Sequence, residues 1–189
     1  MSSLSFIGNA TSYLRIPNTT DFNFGTGDFT IEWYQYQTDS NPFPRIFQIG
    51  TYSTATSIGV SIEGGQFYYW RNGSPTGASY LESSQYKNRW VHFAICRASG
   101  NTQIFMNGTL MLTMSDTTDF SSSDDLVIGN ESSPSDDAAF GGLIYYFSWV
   151  KGVALRTSDF AVPYDYPTLT SNYALLLKAT GFEGTLGST

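Results

Sequence analysis

The sequence predicts an all-β protein, a two-sheet antiparallel jelly-roll sandwich that spans residues 1–189 as one domain. Three observations support this fold class. Short apolar runs alternate with polar positions, and glycine-containing turn signals recur about every eight to twelve residues. Aromatic residues also make up 16% of the chain, against 13% for charged residues. A chain of 189 residues can bury a core without disulfides or metals.

Turn signals divide the chain into strand-like runs. The turns are GTGD (25–28), Gly64-Gly65, Asn72-Gly73, SGN (99–101) and Asn107-Gly108. Runs rich in β-branched and aromatic residues form strands more readily than other runs. In chain order, the predicted strands are FTIEWYQY (29–36), TSIGVSIE (56–63), QFYYW (66–70), WVHFAIC (90–96), TQIFM (102–106), TLMLTM (109–114), DLVIG (125–129) and LIYYFSWV (143–150).

The stretch 89–114 is the strongest local signal, because two short turns separate three of these strands into an antiparallel meander. Its Asn107-Gly108 pair suits a type I′ turn. Further on, KGVALRTSDFAV (151–162) allows a short helical turn before Pro163, and SNYALLLKA (171–179) suits one more strand. Two serine-rich acidic stretches, 115–125 and 130–139, lie on either side of LVIG (126–129) and are predicted to be loops.

Alternation within the strands assigns the core. On 29–36, one face carries Phe29, Ile31 and Trp33, and the other carries Thr30, Glu32, Tyr34 and Tyr36. On 90–96, the apolar face carries Val91, Phe93 and Ile95. These six apolar residues are predicted to lie between the sheets.

Charge and hydropathy exclude two classes of partner. The formal net charge is −7 and Lys and Arg total nine, which argues against nucleic acid, since phosphate binding depends on clustered basic residues. No stretch approaches the roughly 20 apolar residues that cross a bilayer, so no membrane insertion is predicted. The N-terminal residues have neither a basic start nor a long apolar run, so no secretion signal is predicted.

Four stretches, in a fixed order, carry a family resemblance. They are SYLRIPNTTDFNFGTGDFTIEWY (12–34), NRWVHFAICRASGNTQIFMNGTLM (88–111), LVIGN (126–130) and FGGLIYYFSWVKGVALRTSDFAVP (140–163). Together they resemble the concanavalin A-like lectin/glucanase superfamily, in particular its laminin-G-like and pentraxin-like branch. The stretch 151–169, followed by YALLLKA (173–179), looks most like copies carried on phage and viral structural proteins.

The resemblance implies a jelly roll that binds ligands, often glycans, on a sheet face or at rim loops. The leading expectation is a non-catalytic, lectin-like recognition module on an exterior surface, either extracellular or on a virion. The alternative is a virion structural protein, such as a capsid, decoration or tail-fibre component, that uses the fold for contacts with other virion subunits or with its own copies. One departure affects any transferred site: many relatives place acidic residues and an arginine where this chain has Tyr145, Tyr146 and Ser148.

Catalysis is not expected. Retaining glycoside hydrolysis needs two carboxylates about 5 Å apart, and hydrolases that resemble this chain place them on one strand. The strand 29–36 offers Glu32 alone. His92 and Cys96 lie four strand residues apart, which is roughly 13 Å and too far for one metal ion or for a nucleophile and its base.

Calcium is a candidate cofactor, because the relatives that this chain resembles hold calcium with loop carboxylates and carbonyls. No Lys or Arg lies between Arg97 and Lys151, and the acidic side chains there concentrate negative charge. The candidate ligands are Asp119, Asp124, Asp125 and Asp137. Solvated acidic loops are the simpler explanation of the same residues, because runs of charge usually face solvent.

The predicted ligand-binding surface is the non-core face of one sheet, on which the outward aromatic residues are expected to lie together. Aromatic rings that carry a polar group suit sugars, which present both C–H patches and hydroxyls. The candidates are Glu32, Tyr34, Tyr36, Tyr68, Trp70 and His92. Both sides of the run 66–70 are aromatic, so Phe67 and Tyr69 could point outward in place of Tyr68 and Trp70. The same tyrosine-rich face could instead pack under a loop or against another subunit.

Overall fold

The computed structural model describes residues 2–38, 41–51, 54–165 and 167–179, without the side chains of 77–79. The last ten residues of the predicted domain lie outside this part of the chain. The strands are β1 (Leu4–Ile7), β2 (Leu14–Ile16), β3 (Phe29–Gln37), β4 (Arg45–Ile49), β5 (Ile58–Glu63), β6 (Gln66–Arg71), β7 (Ser74–Tyr80), β8 (Trp90–Ala98), β9 (Asn101–Met106), β10 (Thr109–Ser115), β11 (Leu126–Ile128), β12 (Gly141–Lys151) and β13 (Tyr173–Lys178). A 3₁₀ turn covers Thr20–Phe22, and a single α-helical turn, α1, covers Ser83–Tyr86.

The strands form two antiparallel sheets, which confirms the predicted fold class. The first sheet has the order β1-β12-β3-β8-β9-β10, with β13 also paired to β12. The second sheet has the order β2-β11-β4-β5-β6-β7. No helix in the described ranges is long and apolar enough to cross a membrane.

Two strands share one edge of β12. β1 pairs with its first part, with Leu4 opposite Ile144, and β13 pairs with its second part, with Lys178 opposite Tyr146. Both run antiparallel to β12. β13 therefore ends where β1 begins, along a common line.

The core lies between the sheets and is largely aromatic. The six predicted core residues, Phe29, Ile31, Trp33, Val91, Phe93 and Ile95, are all fully buried. Trp33 stacks on Phe93 at 5.4 Å between ring centroids, and Phe93 stacks on Phe67 of the second sheet at 5.3 Å. Such ring pairs contribute about 0.5–1.5 kcal/mol each beyond the area they bury.

The predicted turns form as the sequence indicates. Asn107 and Gly108 have φ angles of 50° and 78°, and both positions of a type I′ turn require such positive values. The equivalent residues Asn72 and Gly73 have φ angles of 53° and 70°. These turns fix the registers of β9 with β10 and of β6 with β7.

Four strands were not predicted: β1, β2, β4 and β7. β1 and β2 have only four and three residues, too few to show alternation. β4 is buried along its whole length, and β7 contains Pro75 and Gly77. The helical turn allowed before Pro163 is absent, and residues 152–163 run as irregular chain across the first sheet.

Candidate functional site

The six predicted ligand-binding residues lie on two different sheets. Glu32, Tyr34 and Tyr36 are on β3 and His92 is on β8, both in the first sheet. Tyr68 and Trp70 are on β6, in the second sheet. The expectation that these aromatics share one face is therefore wrong. Alternation shows which side of a strand is outward, but long-range pairing decides which sheet contains the strand.

A strap, residues 152–163, covers much of the outer face of the first sheet. Thr30 Oγ1 donates to the Val153 carbonyl at 3.0 Å and accepts from Leu155 N at 2.8 Å. The Tyr34 hydroxyl donates to the Pro163 carbonyl at 3.2 Å. The ring of Phe160 packs edge-on against His92, so the strap is held by both polar and apolar contacts.

Beneath the strap lies a polar cluster made of Glu32, His92, Tyr146 and Arg156. Arg156 Nε donates to Glu32 Oε1 at 2.8 Å, and His92 Nε2 lies 3.0 Å from the Tyr146 hydroxyl. Burial raises the pKa of Glu32, although Arg156 opposes this shift. Burial lowers the pKa of His92 to about 3, so its 3.9 Å contact with Glu32 is not an ion pair at neutral pH.

Glu32 and His92 do lie on the outward side of their strands, as predicted, but the strap buries them. Their exposed fractions are 1% and 0%. Tyr34 and Tyr36 remain half-buried, in edge contact with Tyr145 and Trp90 respectively. Glu32 and His92 are thus inaccessible to a ligand in this structure, and a binding role for the two tyrosines stays a prediction.

Tyr145, Tyr146 and Ser148, which the sequence analysis singled out, are inside this arrangement. Tyr145 and Tyr146 are buried on β12, and Ser148 Oγ donates to the Glu32 carbonyl at 3.3 Å. The residues directly across from Glu32 on the neighbouring strands are Ala94 and Ser148. Neither β8 nor β12, each described along its whole length, supplies a carboxylate opposite Glu32.

The outer face of the second sheet carries a partly accessible aromatic and polar surface, which we call the β6 face. It consists of outward residues of β4, β5 and β6: Arg45, Ser61, Glu63, Gln66, Tyr68 and Trp70. Glu63, Gln66, Tyr68 and Trp70 are half-buried there, whereas Arg45 and Ser61 are buried. Trp70 is half-buried, and its indole N–H donates to Ser61 Oγ at 2.8 Å. The guanidinium of Arg45 lies 5.1 Å from the centre of the indole ring, which is cation–π distance.

An ion pair organises the polar part of the β6 face. Arg45 pairs with Glu63, which also accepts from Ser61 Oγ at 2.6 Å. Burial lowers the pKa of Arg45, and the carboxylates of Glu63 and Glu131 oppose that shift. The Tyr68 hydroxyl donates a hydrogen bond to Gln66 Oε1. Trp70 and Tyr68 are therefore held at fixed positions by neighbours on the same face.

A cleft of about 560 Å³ continues from one end of the β6 face. Its lining includes Glu63 and Tyr68 from the face, Gly64 and Gly65 from the β5–β6 turn, and Phe43. Gly64 and Gly65 have φ angles of 54° and 79°, so the turn is tight and presents no side chain to the cleft. The volume lies within the range of about 300–1,000 Å³ that is common for small-molecule sites.

Sequence reasoning missed Arg45, Ser61 and Glu63 as members of a site. Arg45 lies on β4, which was not predicted as a strand. Ser61 and Glu63 lie on a predicted strand, and alternation with Ile58, Val60 and Ile62 would have placed them on its outward side. The alternation in the sequence would thus have identified Ser61 and Glu63, but not Arg45.

The four predicted calcium ligands are spread over two loops. Asp119, Asp124 and Asp125 precede β11, and Asp137 follows it. Asp125 accepts from Asn18 N at 3.0 Å and lies 3.6 Å from Arg15. Within the described ranges, no three His, Cys, Asp or Glu side chains are grouped so that they could hold a metal ion. Calcium binding stays a prediction.

A comparison with known families matches most of the chain. A model described as the concanavalin A-like lectin/glucanases superfamily matches residues 8–155. A search of curated proteins gave no match.

Solved structures show the same fold at low sequence identity. The carbohydrate-binding module CBM40 of the Ruminococcus gnavus IT-sialidase, bound to α2,3-sialyllactose, has a TM-score of 0.65 and 13% identity, over 82% of this chain and 92% of that one. A Bacteroides ovatus protein whose proposed role is carbohydrate binding has a TM-score of 0.69 and 19% identity, over 98% of this chain and 53% of that one. Mouse laminin α1 domains LG4-5 have a TM-score of 0.59 and 15% identity, over 84% and 45%.

Proposed function

The chain belongs to the concanavalin A-like lectin/glucanases superfamily, and we propose that it is a non-catalytic glycan-recognition module that binds its ligand on the β6 face. The single observation that carries this proposal is Trp70. It is a half-buried indole fixed by Ser61 and Arg45, beside a second aromatic ring, Tyr68. Solved structures with this fold include a module bound to sialyllactose, which agrees with glycan binding as the general class of activity.

The chemistry of the β6 face suits a sugar. An indole face offers a flat apolar surface for the C–H side of a pyranose, and the adjacent polar groups can exchange hydrogen bonds with hydroxyls. Ser61 and Glu63 lie next to the ring, and Gln66 lies beside Tyr68. Because these groups are already held by one another, little side-chain entropy is lost on binding.

The outer face of the first sheet is less suited to the same role. Its polar groups, Glu32 and His92, lie beneath the strap, and Arg156 already occupies the carboxylate. A ligand would have to displace Phe160 and break those bonds. On the β6 face, by contrast, four residues are half-buried and so partly accessible: Glu63, Gln66, Tyr68 and Trp70.

Two matched substitutions test which face binds. Trp70→Ala should weaken glycan affinity about tenfold or more, since an aromatic anchor contributes roughly 1–3 kcal/mol by truncation. Tyr36→Ala removes a comparable half-buried ring from the other sheet and should leave affinity unchanged. The measurement is calorimetric titration with glycans selected on an array, with melting curves to confirm that both variants fold. Loss of affinity in Tyr36→Ala with none in Trp70→Ala would contradict the proposal.

Assembly is the second candidate function, and the first sheet supplies the observation that favours it. Tyr34, Tyr36 and Trp90 are half-buried there, and the side chain of Tyr164, next to the end of the strap, is 80% exposed. Aromatic residues are enriched at subunit contacts. An exterior setting, including a virion surface, agrees with such contacts and rests on the sequence resemblance. Light scattering on Tyr36→Ala tests this function: a fall in mass supports it, and an unchanged mass contradicts it.

A further inference from the structure

We infer that the β6 face takes an uncharged, extended glycan chain rather than an acidic sugar. This inference rests on the proposed function, because it names the ligand class of the same surface. Two observations carry it: the charge balance of the second sheet, and the row of aromatic rings that leads into the neighbouring cleft.

Every cationic side chain on the strands of the second sheet is already neutralised. Those strands, all within the described part of the chain, contain three arginines and no lysine. Arg15 lies 3.6 Å from Asp125, Arg71 lies 2.8 Å from Asp116, and Arg45 pairs with Glu63. An acidic sugar would have to compete with a protein carboxylate for each of them.

The pair at the centre of the face is the least open to competition. The side chain of Arg45 is only 5% exposed, and its guanidinium is covered on one side by the indole of Trp70. Separating this ion pair leaves the mostly buried guanidinium without its partner, which is unfavourable. Glu131 adds a further negative charge close enough to Arg45 to affect its pKa. A carboxylate or sulfate on a ligand would meet net repulsion here.

An uncharged sugar meets no such penalty. The carboxylate of Glu63 and the amide of Gln66 can accept hydrogen bonds from hydroxyls. A planar aromatic surface binds sugars through their C–H faces without regard to charge. The same groups that repel an acid thus favour a neutral chain.

The arrangement of the rings indicates a chain rather than a single terminal residue. Tyr68 and Trp70 are two residues apart on β6, on the same side, with ring centroids 6.2 Å apart. This spacing is close to the rise of one sugar unit in an extended, equatorially linked glycan. Tyr68 also lines the cleft of about 560 Å³, so the row of rings leads directly into it. Successive sugar units can stack on Trp70, stack on Tyr68 and enter the cleft.

A paired glycan panel tests the inference on the wild-type protein. Neutral hexose oligosaccharides of increasing length are compared with the same chains capped by sialic acid or carrying a sulfate. We expect the bound members to be neutral, affinity to rise with chain length, and affinity to change less than about twofold with salt, because no ligand charge is involved. Tighter binding of the acidic members, with a loss at high salt, overturns this inference and leaves the proposed function standing. Binding of no glycan at all overturns both.

A variant that removes the charge of Glu63 tests the role of the ion pair independently. Glu63→Gln frees Arg45, so the acidic members should gain affinity on the order of tenfold relative to their neutral counterparts. Asp21→Asn, an equal charge change in the 3₁₀ turn away from the face, should give no gain. An unchanged preference in a folded Glu63→Gln variant contradicts the role assigned to the ion pair, and melting curves establish that each variant is folded.

Discussion

Specific contacts offset the cost of burying Glu32 and His92 on the first sheet. Glu32 is held by Arg156 from the strap, and the hydroxyl of Tyr146 lies within hydrogen-bond distance of His92. His92 Nδ1 is buried, and no hydrogen-bond partner for it lies in the described part of the chain. A buried imidazole in this setting stays neutral, and adding a proton to it would place a charge next to Arg156.

Acid should therefore destabilise the fold through His92. Burial lowers its pKa to about 3 from 6.5. Between these values the unfolded state binds the extra proton, so the stability that neutral His92 contributes is complete above about pH 6.5 and is lost as the pH falls toward 3. The loss can approach about 1.4 kcal/mol per pH unit. Glu32 acts in the opposite direction, because its pKa is raised and its protonation in acid favours the folded state.

The variant His92→Gln separates the two contributions. Glutamine can still reach Tyr146 but does not titrate, so the variant should lose less stability than the wild type between about pH 6.5 and pH 4. Urea unfolding across this pH range measures the difference. Parallel curves for the two proteins would show that His92 does not titrate on unfolding.

Single positions were predicted well where only local geometry decides them. Phe29, Ile31 and Trp33 are core because alternation alone assigns their side. Glu32 and His92 were assigned to the correct side, but their burial depends on Phe160 and Arg156, about 60 residues or more away in sequence. Neither alternation nor local propensity carries information on such a contact.

The strap is the element that most changes the surface of the protein. Phe160 and Ala154 pack on a small apolar cluster formed by Ala94, Cys96 and Phe105. Phe160 N donates to the Gly108 carbonyl at 2.9 Å, and a side chain at position 108 would collide with the strap backbone. The β9–β10 turn thus needs glycine both for its φ angle and for this close approach.

Removing the main apolar contact should loosen the strap and uncover Cys96. Phe160→Ala should lower stability by roughly 2 kcal/mol, less than for a fully buried ring because Phe160 is half-buried. Burial raises the pKa of Cys96 to about 12, so the wild-type thiol should react slowly with a thiol reagent and the variant faster. Leu155→Ala, at an exposed position of the same strap, is the control and should change neither quantity. Equal labelling rates in all three proteins would contradict this role for Phe160.

At the level of elements, strands with long alternating runs and clear turns were predicted, and short ones were not. β3, β8, β9 and β10 match their predicted positions within two residues at either end. β4 was missed because its five buried residues show no alternation. The sequence of the strap allowed a short helical turn, whereas its backbone instead bonds to Thr30 and Gly108, contacts that arise only in the folded chain.

At the level of the whole molecule, the binding surface depends on how the two sheets divide the strands. The sequence left two choices for the outward aromatics of β6, Tyr68 with Trp70 or Phe67 with Tyr69, and could not assign β6 to the second sheet. That assignment follows from pairing with β5 and β7, and it brings Trp70 next to Arg45. The fold class was thus predictable, while the composition of the site was predictable only in part.

Calcium binding can be tested through the stability of the whole molecule. An ion that binds only the folded state raises the free energy of unfolding by mass action. If Asp119, Asp124, Asp125 or Asp137 take part in binding, millimolar calcium should raise the melting temperature above its value in EDTA, and Asp119→Asn should reduce that rise. Identical melting curves in calcium and EDTA would contradict the prediction.

The shared edge of β12 makes the fold suitable for circular permutation. Because β13 ends opposite Tyr146 and β1 begins opposite Ile144, a bond from residue 179 to residue 4 would join them into one continuous strand in register. New termini between Ser133 and Pro134 would fall in a loop, at an exposed serine. Such a permutant should melt cooperatively and bind the same glycan as the parent, as calorimetry and titration would measure. If the permutant fails to fold, β1 and β13 must be separate strands, and a single strand cannot replace them at the edge of β12.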